Sequence, residues 1–245
     1  PLGIKKIKLT GGEPLTRKNS AALVRMLKEL PGIEKVTLTT NGVLLGEQIS
    51  ELAEAGIDNI NISLDTLNEE AFGKITRREG LPKVLESMKE ALKYPQIGLK
   101  INCVPVIDDP QNLVEVARIA RDHPIHVRFI EMMPIGYGAA YTGGSNEELF
   151  RQIEECYGNV SEAGTVRSRE GEKYSADIRD LSYTEEKQQS GKHGAGPAAY
   201  YRFPGSNMDV GFISAMHHKF CRSCNRIRLT SEGYLKLCLC YEKGI

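Results

Sequence analysis

Apolar and polar positions alternate along the first 157 residues in two rhythms that take turns. Short runs with a period of two, or of continuous apolar character, give way to longer runs whose apolar residues recur three and four apart. Residues 4–10 (IKKIKLT), 35–40 (KVTLTT), 59–64 (NINISL), 98–106 (GLKINCVPV) and 125–132 (IHVRFIEM) predict strands. Residues 20–30, 47–55, 81–92, 113–121 and 146–156 predict helices. Leu23, Val24, Leu27 and Leu30 mark the core face of the first helix, and Leu149, Ile153 and Cys156 that of the last. Units of roughly thirty residues without hairpin signals predict parallel strands joined by right-handed crossovers. The fold class is therefore α/β, as a barrel or an open doubly wound sheet, and in both the chemistry gathers at the C-terminal ends of the strands.

Those ends are polar and glycine-rich. The first strand runs into LTGGEP (9–14), the second into TTNG (39–42) and the third into SLD (63–65). The fourth carries KIN (100–102) and the fifth leads to MMPIG (132–136). Paired glycines let a ligand approach main-chain groups closely, although any one of these would pass for an ordinary turn. Lys8 and Lys100 are harder to explain as packing. Each sits inside a strand, where an ammonium facing inward meets an anion or loses its hydration uncompensated; the alternative is a lysine that snorkels out at the sheet edge.

After residue 157 the pattern changes. Residues 158–195 are polar and charged with few apolar anchors, which predicts a surface connection; His193 reads as a loop residue. AAYYRFPG and MDVGFISA then predict two strands of a small sheet that feeds a cysteine-rich end. There Cys221, Cys224 and Cys238 stand as C-x2-C-x13-C. This spacing suits a soft-ligand metal site, either zinc, with Cys240 as a possible fourth ligand, or an iron–sulfur cluster. His217 and His218 lie close by, as second-sphere or surface groups. Between the cysteines NRIRLT places Arg226 and Arg228 on one side of a strand, a pairing that suits a carboxylate or phosphate beside the metal.

Composition narrows the picture. The 245 residues are 40% hydrophobic and carry 32 basic and 32 acidic side chains, which argues against nucleic-acid binding through bulk charge. Of the six cysteines, four crowd into the last stretch, which favours a metal site in a reducing compartment over a disulfide framework. Cys103 and Cys156 read as buried free thiols. No apolar run approaches membrane-spanning length and no signal peptide is visible. Pro1 is not a start residue, so the chain is expected to be a piece of a longer protein.

Taken together, LTGGEPL, TTNG, NISLD, KINCV, RFIEMMPIG, GPAAYYRFPG, GFIS and HKFCRSCNRIRLTSEGYLKLCL resemble the radical S-adenosylmethionine (SAM) GTP 3′,8-cyclases of molybdenum cofactor biosynthesis. The resemblance covers nearly all of the chain outside residues 158–195. GGEP marks only the wider radical SAM superfamily, whereas the ending at 220–239 is more specific. What it implies is an incomplete parallel (β/α) barrel lacking its first βα unit, with a small C-terminal cluster-binding extension. The expected parts are a partial barrel at 1–157, a connection at 158–196 and a cluster and substrate region at 197–245.

The resemblance further implies that Cys221, Cys224 and Cys238 bind a 4Fe–4S cluster with one iron open to the purine. Lys8, Thr39, Lys100, Arg226, Ile227 and Arg228 would bind GTP, with Arg226 and Arg228 also acting in catalysis. Gly12, Glu13, Ser63 and Met133 would hold SAM. Lys8 stands where many members have arginine. The reaction implied is the radical cyclisation of GTP to (8S)-3′,8-cyclo-7,8-dihydroguanosine 5′-triphosphate by a cytoplasmic lyase. Cyclic pyranopterin monophosphate synthase would follow it, and a homodimer is possible. The C-x3-C-x2-C motif expected for a second, N-terminal cluster does not occur in this sequence, so this chain alone is not expected to turn over. Two rivals remain: another radical SAM enzyme with an auxiliary cluster, and a zinc-ribbon module on an α/β domain.

Overall fold

Alternation within the strands builds a sheet with two chemically opposite faces. The computed structural model describes residues 3–106, 109–133, 146–158, 161–162 (backbone only), 197–215 and 224–238. Strands β1 (Lys6–Leu9), β2 (Lys35–Thr40), β3 (Asn59–Ser63), β4 (Gly98–Cys103) and β5 (Ile125–Ile130) lie side by side in chain order, all parallel. Sequential order with crossovers of one hand leaves all the helices on one side, which is the barrel arrangement and not the doubly wound one.

On that side, rows such as Leu9, Leu38, Ile60, Leu99 and Ile125 run across the sheet by register. They join the core with Leu45, Ile49 and Leu52 of α2 (Leu45–Glu54) and Val84 and Met88 of α4 (Leu81–Leu92). Gly42 closes this layer where β2 gives way to α2. Its φ is +83°, and a Cβ there would stand 3.0 Å from both Ile62 and Val84, so neither backbone nor packing admits a side chain.

The helices start where capping predicts. Asp109 accepts from the Asn112 N–H, and Pro110 opens α5 (Pro110–Asp122), a residue type suited to the first turn. Asn68 likewise caps α3 (Glu69–Thr76), a helix the sequence pattern did not predict because its apolar face holds little beyond the buried Phe72. α1 (Ser20–Lys28) is tied to the sheet by Asp58, whose carboxylate accepts from Lys28 Nζ at 3.0 Å and from the Val36 N–H at 2.7 Å. In α6 (Asn146–Tyr157) the buried face is Leu149, Phe150 and Ile153, and Cys156 is exposed. The expectation of a buried Cys156 is thereby corrected: one turn beyond Ile153 the position toward the core falls to Tyr157.

Expectation and structure also differ past the connection. The segment predicted as a separate small sheet belongs to the main one. β8 (Val210–Ile213) pairs in parallel with β5, β7 (Ala199–Arg202) pairs antiparallel to β8, and β6 (Ser161–Glu162) pairs with β7 at the edge. The result is an eight-stranded sheet in the order β1-β2-β3-β4-β5-β8-β7-β6. Phe129, Phe150, Tyr201 and Phe212 explain the attachment: their rings pack with centroids 4.8–5.9 Å apart, joining β5, α6, β7 and β8. A separate hairpin, β9 (Arg228–Leu229) and β10 (Leu235–Lys236), follows.

Candidate functional site: a cationic sheet face beside a cysteine hairpin

The second face of the sheet is polar from edge to edge. Register places Lys8, Thr37, Asn59 and Gly98 in one row, and Thr39, Asn61, Lys100 and His126 in the next. Ser63, Asn102, Arg128, Gly211 and Tyr200 form a third. The fold therefore brings Lys8, Thr39 and Lys100 onto one surface, as the sequence led us to expect. It adds Arg128, Asn61, Asn102 and Tyr200, which sequence reasoning missed. The signal was available: Arg128 interrupts the apolar run IHVRFI just as Lys100 interrupts GLKINC.

Arg128 is held firmly. Its Nη2 donates to Asn61 Oδ1 and to Asn102 Oδ1, both at 2.6 Å, and it shares a hydrogen bond with the Tyr200 hydroxyl. Asn61 in turn donates to Leu38 O and to Thr39 Oγ1. Gly211 is what lets the group assemble, because a Cβ there would stand 2.8 Å from the Tyr200 ring and 3.2 Å from Arg128 Cγ. The Tyr200 ring also carries Lys100 Nζ at 5.5 Å from its centroid, a cation–π contact.

Like charges crowd this face. Lys100 is only 7% exposed, and burial followed by the nearby Arg128, Lys6 and Lys35 charges lowers its pKa to about 7, with Asp209 opposing. Lys8 is also lowered to about 7, first by dehydration and then by Arg128, Lys6, Arg226 and Lys100. Its side chain stays open to water, so dehydration acts less completely there than at Lys100. Lys6 shifts downward for the same reasons. The nearby carboxylates also have other partners: Asp209 pairs with Arg202 and stands 3.9 Å from His126, and Asp58 pairs with Lys28. The accumulated positive charge suits the surface to an anion.

At the C-terminal strand ends lie the residues expected to hold SAM. Gly12 is exposed in the loop after β1, Ser63 ends β3, and Met133 is half-buried just beyond β5. Glu13 is already occupied by the protein: Oε1 accepts from the Leu15 N–H at 3.0 Å and Thr40 Oγ1 at 2.7 Å, and Oε2 from the Asn41 N–H at 2.7 Å. It fastens the glycine loop to the end of β2. Asp65, beside Ser63, accepts from the Val104 N–H, and burial raises its pKa to about 6.

The cysteine segment turns through β9 and β10, with Leu235 opposite Leu229 and Lys236 opposite Arg228. Thr230 N–H donates to Tyr234 O, and Gly233, at φ +91°, closes the turn. Antiparallel pairing returns position 238 to the end of the hairpin that holds position 224. Cys224 is exposed and Cys238 half-buried. Two sulfur donors at one hairpin end fit a thiolate-held iron–sulfur cluster. Arg226, exposed, reaches the sheet electrostatically, since its charge lowers both Lys6 and Lys8. Ile227 is 43% exposed and Arg228 half-buried. Cys221, Cys240, His193, His217 and His218 lie outside the described residues, as does most of the 158–195 connection.

Comparison with known proteins decides the family. Residues 1–121 match the model of the Radical SAM superfamily, and residues 157–245 match that of Molybdenum Cofactor Synthesis C. The GTP 3′,8-cyclase of Clostridium perfringens (strain 13 / Type A) is 39% identical over 245 residues, 100% of this chain and 68% of that protein. The chain belongs to the GTP 3′,8-cyclase family. A second member, from Moorella thermoacetica, is 39% identical over 244 residues, covering 99% of this chain and 68% of its own. Among solved structures, Streptococcus suis SuiB superposes with a TM-score of 0.50 at 19% identity, covering 62% of this chain and 35% of SuiB, a likeness of fold alone. Radical SAM membership brings SAM and an iron–sulfur cluster as cofactors in general terms. Both rival readings fall behind: a zinc ribbon leaves the radical SAM match unexplained, and another radical SAM enzyme leaves the cyclase identity unexplained.

Proposed function

We propose that the polar sheet face and the cysteine hairpin together form the GTP site of a radical SAM cyclase, with the triphosphate on the sheet and the guanine toward the hairpin. The observation that carries this reading is the convergence of Lys8, Lys100, Arg128 and Arg226 on one another electrostatically, with no carboxylate among the row partners of the three strand-borne cations. A polyanion restores to these cations the stabilisation that burial removed. Thr39 is a neutral hydroxyl in the Lys100 row, suited to donate to a phosphate or ribose oxygen. Arg226, Ile227 and Arg228 contribute from the hairpin, the arginines as charge partners and the isoleucine as an apolar contact.

Cys221, Cys224 and Cys238 would hold an iron–sulfur cluster, which would supply a Lewis-acidic metal centre toward the guanine. SAM with an iron–sulfur centre would supply the radical chemistry when both are bound. This chain's part is placement: Gly12 exposes main chain to the cofactor, Glu13 fixes that loop, and Ser63 and Met133 flank it from neighbouring strand ends. The product would then pass to the cyclic pyranopterin monophosphate synthase reaction.

Equilibrium titration tests the reading. GTP is expected to bind more tightly than ATP, which shares the triphosphate, and than GMP, which lacks it. Lys100→Gln is expected to weaken GTP by at least about tenfold, the loss of one dehydrated charge partner. Equal affinity for GTP and ATP would remove the guanine from the account, and an unaffected Lys100→Gln would remove the sheet face.

A further inference from the structure

An arginine drawn part-way into a protein, as the half-buried Arg128 is, is ordinarily met by a carboxylate, which satisfies the donors and cancels the charge together. Arg128 is met differently. Its described acceptors are two amide oxygens, Asn61 Oδ1 and Asn102 Oδ1, and the Tyr200 phenol. These fix the guanidinium in position and leave its charge intact. Its Nε is buried without a hydrogen-bond partner. Lys8 and Lys100 both feel Arg128 more strongly than any other charge. Such an arrangement is unfavourable in the empty protein, because like charges accumulate where dehydration already disfavours them. An aspartate at position 61 or 102 would relieve it with almost no change of shape.

We propose that Asn61 and Asn102 are positioning residues, neutral acceptors that hold Arg128 on the sheet face while reserving its charge for the phosphates of the substrate. The inference deepens the GTP reading and rests on it for the ligand. Asn61 couples the clamp to the next row, since its amide also donates to Thr39 Oγ1 and Leu38 O. Asn102 lies between Ser63 and Arg128 in register and joins the clamp to the row that begins at the strand end. A carboxylate there would make an internal ion pair that competes with the ligand. Stability and binding should therefore move in opposite directions, a signature that general structural damage does not produce.

The experiment uses this chain, wild type and Asn102→Asp, with thermal melts and with titrations of GTP and of inorganic tripolyphosphate. Asn102→Asp is expected to melt higher in the absence of ligand and to bind both ligands at least about tenfold more weakly. Unchanged affinity, or parallel losses of melting temperature and affinity, would overturn the proposal, as would failure of the wild type to bind either anion. If tripolyphosphate shows the effect but GTP binds no more tightly than tripolyphosphate, the positioning role stands and the guanosine reading falls. Should Asn102→Asp not fold, Asn102→Ala decides: losing one anchor is expected to weaken tripolyphosphate about fivefold, and no change would overturn the proposal.

Discussion

Lys100 shows what the proposed GTP site asks of a single residue. It lies 7% exposed among Lys6, Lys35 and Arg128, with a pKa lowered from 10.5 to about 7. Unfolded, the same lysine keeps its proton up to the ordinary value. Between about 7 and 10.5 the unfolded chain therefore binds more protons, and stability must rise with pH across that window. Lys8 adds in the same direction, with less effect because water reaches it. Urea denaturation of the ligand-free chain at a series of pH values should show this rise, and Lys100→Met should flatten it and raise stability at pH 7. Nucleotide binding should run the other way. Above pH 7 the ligand must draw protons back onto these lysines, so GTP affinity falls as pH rises, and Lys100→Arg, whose charge does not titrate, should reduce that fall. At Gly211 an added methyl meets the Tyr200 ring and Arg128 side chain; Gly211→Ala is expected to destabilise by about 1–3 kcal/mol in a chemical melt.

Among the elements, the parallel strands β1 to β5 were legible from their alternation, and α4 was predicted with the bounds it has, whereas the two-residue β6 lies in the stretch read as a connection. The face of the last helix was misjudged at Cys156, where Tyr157 completes the stripe instead. α3 escaped for lack of an apolar repeat, although Asn68 with Glu69 and Glu70 is a fair start signal. β7 and β8 were found as strands but assigned to the wrong sheet. Pairing of β8 with β5 bridges about eighty residues of sequence, and no local pattern encodes such a partner. Lys8, Thr39 and Lys100 were legible as strand-borne polar residues; Arg128 and its asparagines were not, since their role depends on neighbours in other strands. Asp58 belongs to this scale too, holding α1 against β2. Asp58→Ala should cost about 1–3 kcal/mol in urea denaturation and leave GTP binding unchanged.

For the whole molecule the division of labour follows the two faces of one sheet. The apolar face and its helices supply stability, and the polar face gathers Lys8, Lys100 and Arg128 on one surface. The hairpin adds Arg226 and the thiols from the far end of the chain. No described helix is long and apolar enough to cross a membrane. The central claim is that thiols and cations serve one substrate, and one measurement tests it most directly. Anaerobic reconstitution with iron and sulfide, followed by reduction and electron paramagnetic resonance with and without GTP, should give a 4Fe–4S signal that GTP alters. In Cys224→Ala that signal should vanish, and in Lys100→Gln it should persist but respond only at higher GTP. A cluster indifferent to GTP, or one tightly held zinc in place of iron, would contradict the account.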